Sequence, residues 1–199
     1  MKKSLIMILA LIGLGLSASA QQHNNGVTIN GITWATKNVG APGTFVDNYW
    51  EGGMYYQWNR KVGRSSTDSP ASDAGYTSRW NYSQGLNWDK INDPCPSGWR
   101  VPTADELSLL ENSGSIWTKI NGVYGRLFGT DAKTIFLPAS GHYSNRNGKV
   151  FNFNMYGCYW SSKPGKSYDG AYELLFNDSN VYVIDSFSED GNLVRCVKE

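Results

Sequence analysis

The chain predicts an α+β fold in which short, mostly antiparallel strands outnumber one or two helices. Three observations carry this. Thr103-Ala104-Asp105-Glu106 is a capping box, with Pro102 just before it and two acids in the first turn, and it marks one convincing helix start. Short aromatic and β-branched runs recur along the rest of the chain. The 22 glycines, 8 tryptophans and 12 tyrosines suit tight turns and strands better than long helices.

Taken in order, residues 1–20 read as a leader and not as fold. Lys2 and Lys3 are basic, Leu5 to Leu16 is apolar and uncharged, and Ala18-Ser19-Ala20 is a small-residue cleavage site. Cleavage before Gln21 makes the protein exported, to the periplasm, the cell surface or the medium. Residues 21–26 form a polar leader, and 27–199 are expected to form one domain. Val27 to Trp34 reads as a hairpin turning at Asn30-Gly31, the dipeptide that a type I′ turn prefers. A Gly/Pro loop follows at Gly40-Ala41-Pro42-Gly43. Residues 49–60 are aromatic and fit a short helix or a strand, and 63–84 have the composition of a long surface loop. The helix opened by Thr103 draws apolar surface from Leu107, Leu109, Leu110 and Trp117 and stops at Gly114. Strands are expected at Thr134–Leu137, Val150–Phe153, Cys158–Ser161, Ala171–Phe176, Val181–Ile184 and Leu193–Val197. No repeat of 20–50 residues is visible, which removes solenoids and propellers.

Charge excludes some partners. Loss of Lys2 and Lys3 with the leader turns the formal net charge from +1 to −1. That balance offers no attraction to nucleic acid. No segment of the mature chain is apolar enough for a transmembrane helix. Three cysteines in an exported chain leave one unpaired, and three pairings are open. Gly-x-Ser-x-Gly, His-Glu-x-x-His and phosphate-cradling signatures are missing, and the two histidines, His23 and His142, are isolated. Asp169, Glu173, Asp178, Asp185 and Glu189 supply carboxylates by number alone.

Four segments occur in a telling order. They are Cys95-Pro-Ser-Gly-Trp-Arg-Val-Pro-Thr, Leu137-Pro138-Ala139-Ser140-Gly141, Tyr159-Trp160-Ser161-Ser162 and Val194-Arg195-Cys196-Val197. This set resembles the Fibrobacter succinogenes major paralogous domain, a family of secreted bacterial modules, and more distantly the C-type lectin-like fold. The resemblance spans roughly Val27 to Lys198. It implies a C-type lectin-like domain with a Cys95–Cys196 disulfide closing its ends. Cys158 is then a free core thiol. The calcium-ligating loop tripeptides of sugar-binding lectins are not present, and Phe176-Asn177-Asp178 reads as a turn. Neither a metal nor a cofactor is called for.

The functional expectation is a secreted or surface-exposed, non-enzymatic binding or adhesion module that recognises an extracellular protein or glycan. The alternatives are a structural component of a surface assembly, such as a pilus or an outer-membrane-associated complex, and a glycan-acting hydrolase. The candidate ligand-binding residues are His142, Tyr143, Asn145, Arg146, Tyr156, Tyr168 and Asp169. Aromatic faces would give stacking area, and Asn145, Arg146 and Asp169 directional hydrogen bonds.

Overall fold

The N-terminal hairpin and the C-terminal strand share one sheet, which brings the two ends of the described chain together. The structure, a computed structural model, describes residues 26–67, 88–144, 148–167 and 169–199. The leader and most of the 63–84 loop lie outside these residues.

The strands are β1 (Gly26–Ile29), β2 (Ile32–Ala35), β3 (Tyr55–Gln57), β4 (Gly63–Arg64) and β5 (Trp99–Arg100). The one α-helix among the described residues, α1 (Ala104–Glu111), precedes β6 (Ser115–Ile120), β7 (Val123–Thr130), β8 (Lys133–Pro138), β9 (His142–Ser144) and β10 (Lys149–Phe151). Then come β11 (Gly157–Pro164), β12 (Gly170–Phe176), β13 (Val181–Phe187), β14 (Gly191–Asn192) and β15 (Val197–Lys198). Four sheets result, in the orders β1-β2-β15-β5, β10-β9-β14-β3-β4, β11-β12-β13 and β6-β7-β8.

This corrects the α+β, C-type lectin-like expectation. Strand makes up 47% of the described residues and helix 7%, so the fold is β-rich and mostly antiparallel. Much of the difference lies in residues 115–130. Trp117 belongs to β6 and not to the helix surface, because Asn121 (φ 48°) and Gly122 (φ 86°) form a second left-handed Asn-Gly turn that folds β6 onto β7. The first such turn, Asn30 (φ 48°) and Gly31 (φ 82°), sits where the sequence placed it. Among the described residues no helix is long and apolar enough to cross a membrane.

The capping box forms as read: Thr103 Oγ1 accepts from the Glu106 amide at 3.2 Å, and the Thr103 amide donates to Glu106 Oε2 at 2.7 Å. Glu106 also accepts from both terminal guanidinium nitrogens of Arg100, at 2.8 and 2.6 Å. The pair holds the Glu106 carboxyl below its ordinary pKa against the opposing effect of burial. Asp93 receives the amides of Cys95 (2.8 Å) and Val101 (3.0 Å), setting Cys95 toward Cys196. The Cys95–Cys196 disulfide is present, with a Cα–Cα distance of 6.1 Å.

Two apolar cores lie on either side of β11. One gathers Ile29, Trp34, Leu107, Leu110, Phe128, Ile135, Leu137, Tyr143, Tyr159, Leu174, Phe176, Leu193 and Val197. The other gathers Val39, Tyr56, Trp58, Trp88, Val101, Trp160, Val194 and Cys196. Strand alternation explains the Tyr159-Trp160 pair, since consecutive side chains point to opposite faces. Leu193-Val194 splits between the cores in the same way. Tyr159 donates its hydroxyl to the Pro138 carbonyl (2.8 Å), and Trp160 donates its indole N–H to the Tyr56 carbonyl (2.6 Å). The motif residues that carried the resemblance are therefore framework.

Candidate functional site

Of the seven sequence-predicted site residues, the structure describes His142, Tyr143, Tyr156 and Asp169, while Asn145, Arg146 and Tyr168 lie outside the described residues. Tyr143 is a correction. It is 0% exposed and packs in the first core beside Tyr55, ring centroids 6.2 Å apart, so it has no stacking face to offer a ligand. Strand phase is the reason, since in β9 the side chain of Tyr143 points away from that of His142. His142 is half-buried and stacks on Phe151, centroids 6.0 Å apart and planes 20° apart. Tyr156 is half-buried, and its carbonyl accepts the Gly141 amide at 2.7 Å. Asp169 belongs to another part of the fold, the loop before β12, where its carbonyl accepts the Ser188 amide at 3.1 Å.

Beside His142 and Tyr156 the structure places a surface that the site prediction did not contain. From Phe151 to Met155 the chain reads Phe-Asn-Phe-Asn-Met. Phe151 is 41% exposed, Phe153 55% and Met155 59%. The asparagines between them, Asn152 (φ 59°) and Asn154 (φ 61°), take the left-handed conformation that asparagine tolerates better than most residues. The turn is pinned on both sides. Asn152 O accepts the amides of Met155 and Tyr156, both at 3.0 Å, and the Asn154 amide donates to Ala139 O at 2.7 Å. Asn154 Oδ1 accepts the Tyr124 amide at 3.3 Å. Gly141 is required here, because a Cβ at its φ of 70° would lie 1.9 Å from Phe151 O.

Tyr124, whose amide binds Asn154 of the turn, is 37% exposed. Its ring stacks on Trp117 at 5.9 Å, and the Lys119 ammonium lies 4.7 Å from its centroid. Apolar side chains held out by a braced backbone lose little further conformational freedom when covered, while their burial is favourable. Grouped apolar exposure of this kind marks contact surfaces. The alternation of Phe, Asn and Met was a usable signal, but reading 150–153 as strand alone hid it.

The buried polar groups are framework. Glu173 on β12 accepts a hydrogen bond from Asn192 of β14, tying two sheets together. Cys158 is buried, and desolvation followed by the nearby Glu173 pushes its thiol well above the ordinary range, away from the nucleophilic thiolate. Asp185 Oδ2 accepts the amides of Lys166 (2.8 Å) and Ser167 (2.7 Å) and the Ser167 hydroxyl (2.8 Å), which fastens the loop before β12. Asn177 Oδ1 accepts the amides of Ser179 and Asn180, so Phe176-Asn177-Asp178 leads into a turn as read. Among the described residues no group of three or more His, Cys, Asp or Glu side chains could hold a metal ion.

Glu173 makes stability depend on pH. Burial raises its pKa to about 7, opposed by hydrogen bonds from Ser186 and Asn192 and aided by Asp190. The folded state then keeps a proton that the unfolded chain releases above its ordinary carboxylate pKa. This stabilisation is complete at acidic pH and is lost as pH rises toward and through about 7. The loss is on the order of 3 kcal/mol. Urea midpoints near pH 5 and pH 8 should therefore fall with pH in the wild type and much less in Glu173→Gln. Equal slopes in both proteins would remove this account.

A family model described as a domain of unknown function (DUF8237) is similar to residues 112–197. The matched stretch runs from the end of α1 to Val197, so it contains the apolar turn and three of the four motif segments but not Cys95. No curated protein and no solved structure matches this chain.

Proposed function

We propose that this chain is an exported, non-enzymatic binding module of the paralogous-domain kind its motifs resemble. Its contact surface is the apolar turn Phe151–Met155 together with His142 and Tyr124, and its partner is an extracellular protein or glycan. The observation that carries this reading is the outward display of Phe151, Phe153 and Met155 on a backbone braced by Ala139, Gly141 and Tyr124.

Side chains, and not an open strand edge, make this surface. The edge strand β10 has three residues and carries Lys149, both features that discourage strand addition. On the longer edge strand β13, the Glu111 carboxylate lies close enough to the Val183 amide to be stabilised by it. These details favour a side-chain contact over the strand-exchange form of the assembly alternative.

The test compares the mature chain with the Phe151→Ser/Phe153→Ser/Met155→Ser variant on a glycan array and in capture of extracellular proteins. The variant should fold with a nearly unchanged melting temperature and bind the partner roughly tenfold or more weakly. Chelators should leave binding unchanged. A partner bound equally by both proteins would move the surface elsewhere. Hydrolysis of a polysaccharide without any captured partner would replace binding by catalysis.

A further inference from the structure

Charge along this chain is segregated in a way the net value hides. Between Glu111 and Asp169 the sequence has one carboxylate, Asp131, against Lys119, Arg126, Lys133, Arg146, Lys149, Lys163 and Lys166. The rest of the mature chain must therefore be acidic. The apolar turn lies within the basic stretch. Strands β6 to β10 contain no acid at all, and Asp131 sits in the β7–β8 turn, at the other end of β7 from Tyr124.

Two lysines border the turn. Lys149 is exposed and precedes Phe151 by two residues on β10, so both side chains share one face. Lys119 is held over the ring of Tyr124, whose amide binds Asn154 of the turn. Arg126 is committed elsewhere, donating to the carbonyls of Asn177 (2.8 Å) and Asp178 (3.0 Å).

Resting on the binding reading above, we infer that the turn docks an acidic, amphipathic segment of a partner protein, its apolar side chains on Phe151, Phe153 and Met155 and its carboxylates facing Lys149 and Lys119. Composition and geometry favour protein over the other occupants. Sugar recognition needs directional polar groups beside a free ring face. Here Asn154 Oδ1 is taken by Tyr124, and the Tyr124 ring has Trp117 and Lys119 against it. Phe and Met without spare polar atoms suit apolar side chains that can repack against them. A bilayer-inserting loop projects from its domain. This turn is pinned down by the Asn154 amide on Ala139 O and by the Gly141 amide on Tyr156 O. Gly141 packs close against Phe151 O, so the backbone of the turn lies against the neighbouring chain instead of projecting from it. The lysines supply complementarity and orientation.

The experiment pans a phage-displayed random peptide library against the immobilised mature chain. Vesicles of phosphatidylcholine with one third phosphatidylglycerol, and an array of acidic polysaccharides, are tested in parallel. Selected peptides should mix aromatic or aliphatic residues with Asp and Glu. Their binding should fall roughly tenfold or more on Phe153→Ser/Met155→Ser. It should fall several-fold on Lys119→Gln/Lys149→Gln and again as salt rises. An empty selection, or peptides without acidic bias, overturns the inference. Vesicles or a polysaccharide bound in place of peptides, and released by the Phe153/Met155 variant, overturns the protein partner but leaves the turn as the binding surface. Ligands indifferent to that variant overturn both.

Discussion

Arg195→Met should destabilise the protein by about 3–5 kcal/mol, read from the urea midpoint at neutral pH. Arg195 is 1% exposed and has no carboxylate partner in its hydrogen-bond set. Its guanidinium donates to Asn38 Oδ1 (2.7 Å), the Ala35 carbonyl (3.0 Å) and the Phe136 carbonyl (3.0 Å). Three segments distant in sequence are thus joined by one side chain. Burial lowers its pKa to about 10, which still leaves it charged at neutral pH. Methionine keeps much of the volume and removes the charge, yet strands three buried acceptors, each costing about 1–3 kcal/mol if water does not reach it. Lysine should not rescue, because a single ammonium cannot reproduce the planar fork that reaches separated acceptors. A loss under about 1 kcal/mol would show that these acceptors find other donors.

Removing the disulfide should be comparably costly. Cys95 and Cys196 are separated by 101 positions, and the bond joins the segment entering β5 to the C-terminal sheet. In the chain-entropy account, a closed loop of that length is worth up to about 4–5 kcal/mol, acting mainly on the unfolded state. Cys95→Ala/Cys196→Ala should therefore melt well below wild type, and dithiothreitol should bring the wild type down toward the variant. Because the bond acts through chain entropy, the reduced protein should keep its native β-sheet circular dichroism at low temperature. Cys158, buried and unpaired, should react with a thiol reagent only on unfolding. An unchanged melting temperature after confirmed reduction would contradict the entropic role.

These two predictions show how the motifs work. Val194-Arg195-Cys196-Val197 was visible in the sequence as a resemblance, and the disulfide followed from it. The reason for its arginine was not visible, since Asn38, Ala35 and Phe136 are more than 50 positions away. Glu106 was legible as a capping residue because both partners lie within four positions. Its bidentate pair with Arg100 spans six positions and depends on β5 entering the helix at the right angle, which no capping pattern shows. Leu109, counted as apolar helix surface, is exposed, because an eight-residue helix packs Leu107 and Leu110 inward and turns Leu109 to solvent.

The sequence by itself determined what depends on neighbouring residues: the cap of α1, the Asn30-Gly31 turn, most strand positions after Lys133 and an odd cysteine. The Asn121-Gly122 turn, and with it the β6–β7 hairpin, is local information of the same kind. Tertiary structure decided which face of each strand is covered. Alternation shows that His142 and Tyr143 point opposite ways, but not that Tyr143 meets Tyr55 while His142 meets Phe151. It likewise shows that Phe151 and Phe153 alternate with asparagine, but not that the strand ends between them and leaves both uncovered. Those outcomes depend on sheet pairing between distant segments. There, burial free energy is summed over partners that no local pattern names.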